Sequence, residues 1–383
     1  MMAAITAAGR GHAVTLLEKN DRLGKKLAIT GGGRCNLTYA ADPEVLIRHV
    51  TGNPAFLYSA FYTFGSEALM EFFEKLGVPL KVEDGRVFPK SDRGQDIVKA
   101  LETALAELRV KVLLNHPVTD IRQVFKKADS VIIATGGCSY PATGSTGDGY
   151  QWAKELGHTV TELYPSLVAL LVKETWVSDL AGLSLREVGL TVTASGSLAE
   201  KALFSGVGEL LFTHKGISGP LVLEASRYLA EHMQNKPLAA IDLMPNIDYG
   251  KLDKLLLQAI TGSPNKSIGN VLSGILPKRL VPLLLDDPEE KANIFTKKAR
   301  TSLVKVIKSF CFTVAGTAGF REAMVTAGGV NVNEINPSDM SSKKVPGLYF
   351  AGEVLDVDAL TGGFNLQIAF STGYLAGCLG QAL

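Results

Sequence analysis

The chain has 383 residues, a formal net charge of +1 and 46% hydrophobic residues, a length that allows two or three domains at ~100–200 residues each and a large core. The Lys-Lys pairs at 25–26, 126–127, 297–298 and 343–344 are scattered, which argues against a nucleic-acid groove, and no apolar run reaches the ~18 residues of a membrane span. Cys35, Cys138, Cys311 and Cys378 show neither CxxC nor metal spacing and read as reduced thiols of a cytoplasmic protein without a signal peptide.

Residues 1–10 read as a short helix of small residues closed by Gly9 and Gly11, followed by a strand, His12 to Leu17, that ends at Glu18. This is the second half of a βαβ unit. In a dinucleotide site a strand and a Gly-rich turn come first, and an acid about 20 residues on binds ribose hydroxyls. Glu18 fits that acid, while the strand and turn are not in the sequence. The expectation is a chain that lacks a central parallel strand at its start, which would expose two strand edges.

Next comes Thr30-Gly31-Gly32-Gly33-Arg34-Cys35-Asn36. Three successive glycines allow close backbone approach to a ligand. Arg34 adds a planar cation suited to phosphate or a ring carbonyl. Cys35 has no resolving partner nearby and reads as a small packed residue rather than a redox thiol. Helix is expected from Pro43 to His49 and from Pro54 to Gly77, with a hairpin around Asp84-Gly85. A further helix is expected from Ser91-Asp92 to about Leu108. Val110 to Leu114 reads as a strand, and Pro117 to Ile121 as extended chain leading to a short link at 122–128.

Val131 to Gly137 reads as a buried parallel strand that breaks into a Gly/Ser/Thr loop through Gly149, the kind of strand end where open α/β sheets bind ligands. From about 160, strand-like pieces at Val168–Lys173, Val188–Ala194, Gly208–Phe212 and Leu238–Leu243 suggest a small antiparallel barrel or sandwich. His214, in a polar stretch read as a loop, is a candidate proton donor weighed against a local structural role. Residues 249–309 read as helical. Gly347 to Phe350 is a strand, and it leads through Gly352-Glu353-Val354-Leu355-Asp356 and Gly362-Gly363-Phe364-Asn365-Leu366 into a helix of small residues. The bare Gly-Gly turn and the helix N-terminus offer free N–H groups to phosphate or to a ring that gains charge on reduction.

Glu18 after a strand, Thr30 to Asn36, Ala134 to Gly137 with its tail to Gly149, Leu211 to Pro220, Thr326 to Val330, Gly352 to Asp356 and Gly362 to Asn365 together resemble the aminoacetone-oxidase-like bacterial flavoproteins over nearly the whole chain. The resemblance implies an α/β fold: a discontinuous Rossmann-like FAD-binding domain (1–158 and 323–383), an inserted β-rich domain (159–248 and 309–322) and a helical insert (249–308). It implies that Glu18, with Lys19 beside it, binds the adenosine ribose and that Val118 lies beside the adenine. Gly32, Gly33, Arg34, Cys35 and Asn36 would pass near the flavin. Thr135, Gly136 and Gly137 would line the dinucleotide. Gly352, Glu353 and Asp356 would lie at the pyrophosphate and ribityl region, and Gly362, Gly363, Phe364, Asn365 and Leu366 at the isoalloxazine.

The function expected is hydride transfer between a small organic substrate and FAD. Two enzyme forms stay open: an amine or aminoketone oxidase using dioxygen, and a reductase using NAD(P)H. A flavin-binding scaffold or sensor without turnover is the reading from another class. No metal set, Ser-His-Asp constellation or catalytic acid/base is evident in the sequence, and neither nucleic acid nor membrane is expected as a partner.

Overall fold

A computed structural model describes residues 1–194 and 201–380. The chain forms two compact units, Met1–Ser166 with Phe320–Leu383, and Leu167–Gly319.

The first unit is built around its last helix, Phe364–Gly377. That helix is apolar on all sides and buried on all sides, as a helix without a polar face must be. Its small residues let a neighbour come close. A Cβ at Gly377 would lie 2.5 Å from the Ala3 carbonyl oxygen, and one at Gly373 would lie 3.3 Å from the Met2 Cβ. The opening helix, Met2–Gly9, thus rests against it nearly backbone to backbone. Two parallel strand pairs stand beside these helices, Thr15–Leu17 with Lys111–Leu113 and Val131–Ile133 with Leu348–Phe350. A three-stranded antiparallel sheet joins Thr38–Tyr39, Arg86–Pro89 and Leu80–Glu83. Its hairpin turns at Asp84-Gly85, both with positive φ, the backbone that a two-residue hairpin favours.

Three local expectations are corrected. The stretch from Pro54 to Gly77 is not one helix but a 3-10 turn, Pro54–Leu57, and two helices, Tyr58–Thr63 and Ser66–Lys75. The break falls at Gly65, where a Cβ would lie 2.6 Å from the Phe61 carbonyl oxygen. The helix expected from Ser91-Asp92 starts at Gly94. The end of the extended stretch and the short link after it form a helical turn, Ile121–Phe125, capped by Asp120, whose carboxylate accepts the Arg122 N–H at 2.9 Å.

In the second unit six strands close into an antiparallel barrel. In barrel order they are Ser184–Thr193, Ala202–Phe212, Gly216–Ser218, Leu170–Val172, Phe310–Thr317 and Leu238–Asp242. Of the two forms expected, the barrel is the one formed. The 212–220 stretch read as a loop is a hairpin, with His214 exposed at its turn. Helices Tyr249–Thr261 and Lys297–Lys308 are tied together by Asp253 and Arg300 through bonds of 2.8 and 3.1 Å. No helix among the described residues is long and apolar enough to cross a membrane.

Candidate functional site

Glu18 follows the Thr15–Leu17 strand directly. One of its carboxylate oxygens accepts the Asn20 backbone N–H at 2.9 Å and the Asn20 side-chain amide at 2.8 Å. The same amide reaches the Thr143 carbonyl at 3.1 Å. Lys19 pairs with Asp148 at 2.6 Å and donates to Thr146. The loop after Glu18 is thereby joined to the Gly/Ser/Thr loop after the Val131–Ile133 strand. Burial works against the Asp148 charge, but Lys19 and Thr146 hold its carboxyl below the usual range. Val118 lies in irregular chain, half-buried.

Past that strand, Ala134 is exposed and Thr135 and Gly136 are half-buried. Gly136 has φ +74°, and a Cβ there would lie 3.1 Å from Ser145 Oγ; a Cβ at Gly137 would overlap the Thr326 hydroxyl. Thr326 is a hub. Its Oγ1 accepts the N–H groups of Cys138 (2.9 Å) and Ser139 (3.1 Å), and its own N–H donates to Glu353 Oε1 at 2.8 Å. Glu353 Oε2 holds Lys26 at 2.8 Å, and Lys26 also donates to the Ser139 carbonyl at 3.2 Å. Glu353 sits just after the Leu348–Phe350 strand, in the turn Gly352–Val354. Gly352 is fastened by its N–H to Thr372 on the last helix at 2.9 Å. Asp356 is placed further along by its N–H, which donates to the Val330 carbonyl at 3.0 Å, and by its carbonyl, which accepts from Asn53 at 2.6 Å.

The third part joins the glycine loop to the Gly-Gly turn. Gly31, Gly32 and Gly33 all have positive φ, and a Cβ at Gly32 or Gly33 would meet nothing within 4 Å. Open space flanks the loop there. With its amide oriented to satisfy both contacts, Asn36 accepts the Gly363 N–H at 3.1 Å and donates to the Thr38 carbonyl at 3.2 Å. The Gly363 N–H is therefore already bound, which corrects the expectation that it is free for a ligand. Gly363 has φ +96°, and a Cβ there would lie 2.6 Å from the Thr38 carbonyl carbon. Phe364 begins the helix and is buried, and Leu366 packs among the apolar residues around it. Asn365 accepts the Ala359 N–H at 3.0 Å and donates to the Ala359 carbonyl at 2.7 Å. It shapes the preceding loop.

Arg34 is not open to an anion. It pairs with Glu83 at 2.6 Å and Asp92 at 2.7 Å and lies 4.1 Å over the Phe88 ring. Those two carboxylates raise its already high pKa. Cys35 is fully buried with φ +57°. Burial pushes its thiol up to about 12, against a smaller opposing hydrogen bond with Thr30, so it stays protonated and unreactive.

The sequence reading missed several residues of this corner. Lys26 and Thr326 carry the ion pair and the hub described above. Gln367 is buried and bonds Thr38, the Phe64 carbonyl (3.0 Å) and Ser371 (2.8 Å). Tyr39, Phe364 and His49 form a ring stack, with the His49 and Phe364 centroids 4.3 Å apart and their planes 8° from parallel. The only sequence signal was a polar residue at the end of an apolar helix face.

A separate cluster joins Ser342, His158 and Glu334, a set not evident in the sequence. Ser342 Oγ lies 2.7 Å from His158 Nε2, and His158 Nδ1 lies 3.1 Å from Glu334. Ser342 Oγ also accepts the N–H groups of Lys344 (3.0 Å) and Val345 (2.9 Å). Its two lone pairs are used, so its proton points to His158 and no nucleophile is exposed. The cluster ties loops together.

An acceptor carboxylate at a strand end, bare glycine backbone at the next strand end, and an open glycine loop beside a helix N-terminus form a set that suits a dinucleotide carrying a planar ring. A family model described as HI0933-like protein Rossmann domain matches residues 1–379. A 3-dehydro-bile acid delta(4,6)-reductase of Clostridium scindens is 33% identical over 396 residues, covering 98% of this chain and 95% of that protein. A ribosomal RNA dihydrouridine synthase of Haemophilus influenzae is 34% identical over 388 residues, covering 95% and 91%. One of Escherichia coli is 30% identical over 390 residues, covering 98% and 93%.

Proposed function

The chain belongs to the HI0933-like Rossmann-domain family, and from that premise we propose that it is an FAD-dependent reductase of a carbon–carbon double bond conjugated to a carbonyl group. One observation carries the reading: relatives named for unlike substrates share one reaction type. A delta(4,6)-reductase of a 3-dehydro steroid saturates an alkene in conjugation with a ketone. A dihydrouridine synthase saturates the uracil ring alkene beside a ring carbonyl. This shared chemistry favours the reductase over the aminoketone oxidase, whose resemblance the comparisons match only at the level of the wider family, and over a scaffold without turnover.

Bound at this site, FAD would supply the hydride, which carries both electrons of the reduction, and NAD(P)H would replenish it. Glu18 binds the ribose hydroxyls, for which its strand-end position and acceptor oxygens are suited. Thr135, Gly136 and Gly137 run beside the dinucleotide, with Lys26 and Glu353 setting the charge along it. Gly32 and Gly33 leave room for the ring, and the Asn36 to Gly363 bond holds the two glycine segments in register. The N-terminal dipole of the Phe364–Gly377 helix favours negative charge at that edge, by ~0.3–2 kcal/mol.

The test is anaerobic NAD(P)H consumption by the FAD-loaded protein. Consumption should start on addition of an enone such as 2-cyclohexen-1-one. No consumption with the enone, together with bleaching of the flavin by an aminoketone and its reoxidation by dioxygen, would favour the oxidase.

RNA as the carrier of the reducible ring is a second reading, and one observation favours it. Residues 249–309 hold eleven Lys and Arg against five Asp and Glu, in a chain of net charge +1, and Lys251, Lys254, Lys297, Lys298 and Lys305 are exposed. Binding of an rRNA fragment should then weaken steeply with salt.

A further inference from the structure

Resting on the reductase reading, we infer that His49 is the residue that binds the substrate carbonyl and gives it a proton. His49 ends the Pro43–Arg48 helix. Its Nδ1 lies 2.8 Å from the Val45 carbonyl oxygen. A carbonyl only accepts, so Nδ1 carries a hydrogen, and the ring's exchangeable position is Nε2. No partner in the protein occupies Nε2 among the described residues. The ring cannot swing freely, because one face lies against Phe364, 4.3 Å away and nearly parallel, with Tyr39 beside them both.

The backbone fixes the same place. The His49 carbonyl accepts the Leu360 N–H at 3.0 Å, and Val50–Gly52 pairs with Asp358–Ala359. Phe364 directly follows Gly363, whose N–H is held by Asn36 at the end of the open glycine loop. His49 is thus locked to the turn that borders the ring site, and it is half-buried rather than exposed.

A hydride adds to the β-carbon of the enone, and the alkene electron pair moves onto the carbonyl oxygen. Protonated His49 holds that oxygen through Nε2–H and transfers the proton to it, giving an enol. The enol takes a proton from water at the α-carbon and releases one from oxygen, so the net change is addition of one hydride and one proton. Neutral His49, still bound to Val45 through Nδ1, regains its proton from solvent. A donor already placed where negative charge develops is the usual source of such rate enhancement.

The test compares wild type, His49→Phe and His49→Gln as FAD-loaded proteins. Phe keeps the ring stack and removes the donor; Gln keeps a donor and loses the stack. The first readout is equilibrium binding of 2-cyclohexen-1-one to the oxidised protein, followed by the change in flavin absorbance, where no turnover occurs. The second is the rate at which pre-reduced protein is reoxidised by the same enone without air. His49→Phe should bind the enone at least ten-fold more weakly and reoxidise at least a hundred-fold more slowly, with FAD affinity unchanged, and His49→Gln should recover part of both. Binding and reoxidation by His49→Phe equal to wild type would overturn the role of His49 and leave the reductase reading standing. Failure of the wild type itself to be reoxidised by the enone would overturn both.

Discussion

Glu18 and Gly363 show how single residues decide what this corner can hold. Glu18 already organises Asn20 through one oxygen, so it can order the loop and serve the ribose together. A hydrogen bond to a charged group contributes ~1.5–3 kcal/mol. Glu18→Ala should therefore weaken FAD binding about ten-fold or more, as measured by titrating the flavin-free protein with FAD; undiminished affinity would remove Glu18 from the site. Gly363 is a steric position. Its positive φ and the Thr38 backbone 2.6 Å from a Cβ mean that Gly363→Ala should destabilise the fold by ~1–3 kcal/mol, seen as a lower urea midpoint. Among the four free thiols, exposed Cys311 should react with iodoacetamide first, while buried Cys35, its pKa up near 12, should resist until the protein unfolds. Early modification of Cys35 in mass spectra would contradict that burial.

At the level of elements, the last helix holds the site through polar groups buried inside an apolar surface. Gln367 alone bonds Thr38, Phe64 and Ser371. Gln367→Leu would take its acceptor from the buried Thr38 hydroxyl, while the Phe64 carbonyl keeps the Ser371 hydroxyl at 2.6 Å, at a cost of ~1–3 kcal/mol for the orphaned group. The expected result is a clear loss of stability by denaturant titration, with FAD retention reduced because Thr38 supports both glycine segments. A variant as stable as wild type would show that these bonds contribute nothing net. Strand ends, glycine turns and this helix were legible in the sequence because each has a local signal: a β-rich apolar run, a Gly cluster, a small-residue run. The Asn36 to Gly363 bond and the Lys26 to Glu353 ion pair were not, because they join residues 327 positions apart in each case. The break at Gly65 and the cap by Asp120 were missed for a different reason. Periodicity averaged over a window hides a single residue that ends an element. His49 was passed over because an apolar helix face gives no hint of what stacks on its last residue.

For the molecule as a whole, acid sensitivity follows from the Ser342, His158 and Glu334 cluster. Burial lowers the His158 pKa below its ordinary 6.5, outweighing Glu334. Lys344 and the Thr159 groups, against burial, pull Glu334 from 4.5 down to about 2. Both groups bind protons more weakly folded than unfolded. Their stabilisation is therefore complete above 6.5, begins to fall as His158 charges in the unfolded chain, and continues to fall below 4.5 toward about 2. The melting temperature should drop on acidification from neutral pH, and His158→Gln should remove the first part of that drop. A flat profile between neutral pH and 5 in wild type would contradict the linkage. The whole-molecule claim that matters most is the reaction. The direct measurement is a single turnover without air: protein carrying FAD reduced with deuterated NAD(P)H, mixed with a panel of 2-cyclohexen-1-one, a 4-ene-3-ketosteroid and a uridine-containing rRNA, with the products read by mass spectrometry. The expected result is return of the oxidised flavin spectrum with one saturated product per flavin. Reduced flavin that persists with every member of the panel, and is discharged only by dioxygen, would contradict it.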